Sequence, residues 1–183
     1  MAFAGGGISR IVLADDLKEE RSKSLSASVN YDKATEHYVY GFTFEGFYTH
    51  LNDAFYQDPS GEDEFGEVFT KRNGAGATVK GLTMEFRANL EQKLQIESGL
   101  TLQKSLYDEA VSYSDELESR KEFLRTPNKY GYATLTYSPS SKLNFSANLV
   151  HTGIMDILHL AGASEQTEDE FIKSSTFNVI GLK

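Results

Sequence analysis

Apolar and polar side chains take turns along most of this chain. From Ser24 to Tyr31 the apolar set is Leu25, Ala27, Val29 and Tyr31, and between them lie Ser24, Ser26, Ser28 and Asn30. Leu82, Met84, Phe86, Ala88 and Leu90 interleave with Thr83, Glu85, Arg87 and Asn89. Leu94, Ile96, Leu100 and Leu102 do the same with Gln95, Glu97, Thr101 and Gln103. Ala133, Leu135 and Tyr137 alternate with Tyr132, Thr134 and Thr136, and Leu143, Phe145, Ala147 and Leu149 with Asn144, Ser146 and Asn148. The longest stretch runs from Tyr38 to Tyr56, with Tyr38, Tyr40, Phe42 and Phe44 on one face and Thr43 and Glu45 on the other. Phe171 to Lys183 is a weaker final example. A period of two puts successive side chains on opposite faces of a strand, so the pattern predicts about seven strands, no helix and an all-β fold.

The polar face constrains the architecture. Glu85, Arg87, Glu97 and Gln103 cannot enter a dry core unpaired without a cost of several kcal/mol each, so this face meets water or a polar interior. The opposite, apolar face needs a cover, which a second sheet, a layer of helices or lipid can supply. No amphipathic helix is legible for that purpose. Strand length favours lipid: soluble strands average about five or six residues, a tilted membrane-spanning strand about 9–11.

The connections alternate in length. Asp32 to Glu36, Glu91 to Lys93 and Ser138 to Lys142, the last with Pro139, are tight. Gln57 to Asn73, Leu106 to Asn128 and Met155 to Glu170 are long, well beyond ordinary hairpin loops. In an antiparallel up-and-down meander all short turns fall at one end and all long loops at the other, the layout of a transmembrane barrel with short periplasmic turns and long external loops. Acidic residues follow the same division. Outside the long segments and the lead-in Leu13 to Lys23, only Asp32, Glu36, Glu45, Asp53, Glu85, Glu91 and Glu97 carry a carboxylate, out of 27 acids.

Composition then removes classes. The net charge of -9 argues against nucleic acid as a partner. No cysteine is present, which excludes disulfides, thiolate metal sites and a cysteine nucleophile. No run approaches the ~18 apolar residues of a membrane helix, and Met1 to Ile8 shows no export signal.

Three stretches resemble the C-terminal barrel region of TonB-dependent outer-membrane receptors, particularly those of Bacteroidetes-like bacteria. Ala14-Asp-Asp-Leu-Lys-Glu-Glu-Arg-Ser22, ahead of an alternating strand, is similar to the family's "NPDLKPERS", with Glu19 in place of the usual proline. Asn73-Gly-Ala-Gly-Ala-Thr-Val-Lys-Gly81 leading to Glu85 resembles the segment in which a glycine opens a strand ending "KGxE". Arg125-Thr-Pro127, then Tyr132 to Tyr137, Pro139 and a strand closing at His151-Thr-Gly153, resembles the "RxPxH…Y.P…Y.G" hairpin, His151 standing where Tyr is common.

The resemblance implies part of a 22-stranded plugged barrel. Residues 1–183 would form one portion of a single barrel domain, with the plug, the TonB-contacting box and the closing strand outside it. It also implies an outer-membrane location in a Gram-negative cell. The implied activity is energy-coupled import of a scarce nutrient, such as an iron chelate, a cobalamin or an oligosaccharide. The partners implied are outer-membrane lipid, the rest of the barrel, the plug and the TonB complex. The pattern leaves open a different class, a soluble extracellular β-sandwich that binds carbohydrate.

Candidate chemistry is sparse. His37, His50, His151 and His159 form no HxxxH or HExxH pair, so no metal, cofactor or catalytic residue is expected. Asp58 to Glu67 is acidic but lacks the EF-hand register. Gly5-Gly-Gly7 has no strand-then-helix frame, and Asn144-Phe-Ser146 lies inside a strand. Tyr38, Tyr40, Tyr56, Tyr107, Tyr130 and Tyr137 fall near strand ends, as an interfacial girdle requires. Ligand contact is expected, if anywhere, from the loop residues Phe65, Phe69, Tyr113, Phe123 and His159. An open sheet has unpaired edges that hydrocarbon does not tolerate. The isolated chain is therefore predicted to give no conductance in liposomes above that of lipid alone, and pore-like currents from it would contradict this reading.

Overall fold

A computed structural model describes residues 10–64, 66–114, 117–159, 161 and 167–183. Among them the strands in chain order are β1 (Arg10–Leu13), β2 (Arg21–Ala34), β3 (Tyr38–Asn52), β4 (Phe55–Asp63), β5 (Gly66–Asn73), β6 (Ala77–Leu90) and β7 (Leu94–Val111). They continue with β8 (Arg120–Glu122), β9 (Lys129–Ser140), β10 (Leu143–Thr152), β11 (Asp156–His159), β12 (Glu170–Lys173) and β13 (Phe177–Leu182). The principal sheet runs β2-β3-β6-β7-β9-β10-β13, every ladder antiparallel. With the hairpins inside the long connections set aside, neighbours in the sheet are neighbours in the chain. This is the expected all-β antiparallel meander, and among the described residues it is not closed: β2 and β13 each leave one edge unpaired.

The long connections hold more structure than expected. Gln57 to Asn73 lies in the β4–β5 hairpin, and β1 joins β5 in the one parallel ladder among the described residues. The segment from Leu106 contains the last residues of β7 and then β8, and Met155 to Glu170 contains β11, which pairs with β12. The β4–β5 and β11–β12 hairpins form small sheets of their own beside the principal one, and their short strands hide the period-two pattern. The stretch Tyr38 to Tyr56 breaks at Asp53, whose φ of 53° ends β3 and starts the hairpin, a backbone state that Asp tolerates better than most residues.

Register sets both faces. Val29, Phe44, Met84 and Leu100 stand in one row of directly paired residues, and Tyr31, Phe42, Phe86 and Ser98 in the next. This apolar face has no cover within the described chain: Leu25 is 73% exposed, Phe42 50% and Ile180 70%. Among the described residues only Ala54 and Ala77 are buried apolar residues, and no side chain is fully enclosed. A soluble sandwich would interlock these side chains with a second layer, so the geometry is that of a sheet built against hydrocarbon.

The other face is laced by polar contacts. Asn30 accepts from Thr43 at 2.8 Å, Thr83 and Thr101 hydroxyls meet at 3.1 Å, and Ser24 and Thr49 at 3.0 Å. The Arg87 guanidinium donates to Asp32 at 2.6 Å and to Thr43 at 3.0 Å. Gly41 makes room for that bridge, since a Cβ there would run into the Asp32 carboxylate.

The inner turn between β6 and β7 is strained. Glu91 and Gln92 both have positive φ, at 49° and 57°, and Lys93 N–H donates to the Leu90 carbonyl at 2.9 Å. This is a type I′ geometry, which suits Asn-Gly far better than Glu-Gln. Replacing Glu91→Asn and Gln92→Gly is predicted to raise the unfolding free energy by about 1–2 kcal/mol, read by urea titration of the vesicle-inserted barrel. An unchanged midpoint would show that the turn carries no such strain.

Candidate functional site

At the end of the sheet opposite the tight turns, the long connections fold onto the wall and onto one another. The lead-in to β2 docks on the β4–β5 hairpin. Lys18 N–H donates to the Asn73 side-chain oxygen at 2.5 Å, and the Asn73 amide donates to the carbonyls of Lys18 at 2.9 Å and Asp53 at 2.8 Å. Glu20 accepts from Phe55 N–H at 2.5 Å, and the Lys71 ammonium sits 4.0 Å from the Phe55 ring centre. Here the Asp-Asp-Leu-Lys-Glu-Glu run acts as a strap whose polar groups close the base of a hairpin.

A second assembly joins the β7–β9 connection to the β11–β12 hairpin. Tyr107 stacks at a tilt on Phe123 with ring centres 4.3 Å apart. The Tyr113 hydroxyl hydrogen-bonds to Tyr107, and the Tyr113 ring meets Phe171 edge-on at 6.0 Å. Burial, and then the neighbouring Tyr107, push the Tyr113 phenol well above its usual range, so it stays neutral and serves as donor. The Arg120 guanidinium lies 4.0 Å over Phe171 and 3.9 Å from the Asp156 carboxylate. Arg125 N–H donates to the Asp156 carbonyl at 2.7 Å. Asp169 completes the clasp: it accepts from the Ser114 hydroxyl, and from Ala161 N–H at 2.7 Å. Those two donors hold its carboxyl below the ordinary value of 3.8.

The expected loop residues are thus distributed. Tyr113 and Phe123 share the cluster above, bridged by Tyr107. Phe69 lies in β5, paired between Ile11 and Pro59. His159 ends β11, exposed and 4.0 Å from the Glu170 carboxylate. Phe65 lies outside the described residues, as do Asp115, Glu116 and Gly5 to Gly7. Of the tyrosines expected in a girdle, Tyr38, Tyr40 and Tyr137 stand at the inner end of the apolar face, Tyr38 and Tyr40 stacked at 6.0 Å. Tyr130 instead pairs with Thr101 on the polar face, Tyr107 packs in the outer cluster, and Tyr56 belongs to β4. Arg120, Phe171, Ser114 and Asp169 escaped the sequence reading because their partners lie on a different connection. Only the aromatic and acidic content of both segments hinted at it.

Among the described residues no three His, Asp or Glu side chains gather as a metal site. His50 is the histidine with most neighbours, bonded to Thr78 at 3.1 Å and Asn52 at 3.2 Å and lying 3.8 Å from Asp108. The arrangement presents aromatic and hydrogen-bonding surface at the end of the sheet opposite the tight turns.

The sequence matches the family described as "TonB dependent receptor-like, beta-barrel" over residues 2–169. The chain belongs to that family. Members of this receptor family are outer-membrane proteins of Gram-negative bacteria, receptors and transporters rather than enzymes. The fold is similar to a solved structure, "The FrpB iron transporter from Neisseria meningitidis (F3-3 variant)", with a TM-score of 0.57 and 16% identity. That match covers 96% of this chain and 25% of the transporter, so the chain spans about a quarter of that protein's length. No curated protein matches the chain by sequence.

In this receptor barrel segment the two outer connections are predicted to move as one body. Arg120→Ala is expected to raise amide exchange at Phe171 and Ile172 several-fold, with little change in β6. A carboxylate with a lowered pKa contributes stability that is present above its unfolded value and lost as pH falls through the folded one. The Asp169 clasp should therefore persist at about pH 5 and release only below 3.8. Loss of exchange protection at Ala161, relative to the intrinsic rate, already at the higher pH would contradict this assignment.

Proposed function

We propose that this chain is a wall segment, with three outer connections, of a receptor that imports a scarce nutrient using energy from the proton gradient. In this reading residues 1–183 are one portion of a larger barrel domain. A plug fills the lumen beside the polar face, and the TonB complex of the inner membrane displaces it. The observation that carries the reading is the division of one sheet into a bare apolar face and a hydrogen-bonded polar face, with the long connections gathered at one end. An outward greasy band and a wet lumen are what a transport barrel requires.

Cargo would be captured by the outer connections. The candidates are an iron chelate, a cobalamin or an oligosaccharide. The structural likeness to an iron transporter supports the first, and the Tyr107–Phe123 and Tyr113–Phe171 pairs offer stacking surface to any of the three. Phe69, Phe123 and His159 are the contacts proposed here, with Tyr113 held as a support and Phe65 as a further candidate. Phe123→Ala combined with His159→Ala, in the full receptor on cells, is expected to weaken binding of a labelled ferric chelate roughly tenfold while leaving the barrel inserted. Unaltered binding and uptake would remove these loops from cargo recognition.

A further inference from the structure

The apolar ladders end alike on strand after strand. On β2 the outward residues Tyr31, Val29, Ala27 and Leu25 are followed, toward the outer end, by Lys23. On β3 the series Phe42, Phe44, Gly46 and Tyr48 ends at His50. Lys80 follows Leu82 on β6, Lys104 follows Leu102 on β7, Lys129 follows Gly131 on β9, and His151 follows Leu149 on β10. Six neighbouring strands therefore carry a basic side chain at the outer border of their greasy face, with Leu106 one step beyond Lys104 on β7. These positions lie about ten residues from the inner end of each strand, or about 25 Å at the usual rise and tilt, which is the height of a barrel's apolar band.

The collar has little negative charge to answer it. Asp32, Glu45, Glu85 and Glu97 all fall on the opposite face by register. Asp108 is the one outward carboxylate on these strands, and it lies beyond the lysines against His50 at 3.8 Å. Lys23, Lys80, Lys104 and Lys129 make no ion pair among the described residues. Lys80 and Lys104 are direct cross-strand partners, an arrangement of like charges that costs stability unless an anion sits between them. Tyr48, paired with Lys80 in the same row, adds a phenol suited to the same polar boundary.

We propose that Lys23, Lys80, Lys104 and Lys129, flanked by His50 and His151, form a collar that grips the phosphate groups of outer-leaflet lipid headgroups, with the Lys80–Lys104 pair at its centre. Acyl chains of the same lipids lie along the apolar ladders below. Each ammonium reaches upward from the band, its stem in hydrocarbon and its charge at the phosphate plane. The inference rests on the membrane orientation proposed above and adds a lipid class to it.

The test uses the full receptor carrying this segment, placed in nanodiscs of phosphatidylcholine doped with diphosphorylated lipid A. Lipid retained after mild detergent extraction is counted by native mass spectrometry. K80Q/K104Q should retain roughly tenfold less lipid A than the wild type, and K93Q/K142Q, which removes equal charge from the inner turns, should match the wild type. Dephosphorylated lipid A should be retained equally poorly by all three. Equal retention by the wild type and K80Q/K104Q, or wild-type retention indifferent to the phosphates, overturns the collar. Heat-modifiable migration of K80Q/K104Q on gels verifies its folding, and if that pair fails to fold, K23Q/K129Q carries the same comparison. A receptor that does not insert into the nanodiscs at all overturns the membrane orientation itself.

Discussion

Everything in this sheet depends on where its apolar face finds a partner. A soluble domain of this length encloses a dry core, yet here the buried apolar side chains among the described residues are two alanines. Most of the large ones, from Leu25 on β2 to Leu182 on β13, project from one surface of a single layer, while Tyr130, Tyr132, Val150 and Val179 stand on the other. Transfer of each such side chain from water to hydrocarbon yields about 1–3 kcal/mol, and together they reach tens of kcal/mol. That sum is available only if lipid supplies the second layer. Backbone pairing gives the sheet its shape, and hydrocarbon gives it its stability.

The same constraint explains the chemistry of the other surface. With no dry interior to protect, the inward face can carry Arg87, Glu85, Glu97 and a row of hydroxyls at little desolvation cost, provided water or a polar plug lies beside them. The Arg87–Asp32 bridge is half-exposed on both sides, so its worth is in fixing β2, β3 and β6 in register more than in raw energy. At the outer end, where no bilayer orders the chain, stability has to come from local contacts. The strap of Lys18 and Glu20 on the first hairpin does this, as does the Arg120–Phe171–Tyr113 assembly between the others.

Much of this was legible before any coordinates. The seven strands of the principal sheet, the face each residue takes and the alternation of short and long connections follow from period two and turn chemistry, because a one-residue slip would invert every side chain. The hairpins inside the long connections were not legible. Their strands are short, as in Asp156–His159 and Glu170–Lys173, so they leave too few residues to write an alternation. Nor were the partners of Tyr113 and Ser114. Phe171 and Asp169 lie more than fifty residues away in sequence, and no local pattern announces a contact made between two loops. Tyr130 shows the complementary error: nearness to a strand end does not tell which face a ring occupies, and register with Thr101 places it inward.

The central claim is the direction in which the two faces look, and the absence of native cysteine in the chain makes it directly measurable. Nitroxide labels at Phe44, Met84 and Leu100 on one face, and at Thr43, Glu85 and Thr101 on the other, can be compared in the bilayer-inserted receptor by collision with oxygen and with a water-soluble nickel chelate. The account predicts oxygen-dominated relaxation at the first three and nickel-dominated or buried signals at the second three. Nickel access at Phe44, Met84 and Leu100 equal to that at Thr43 would contradict it.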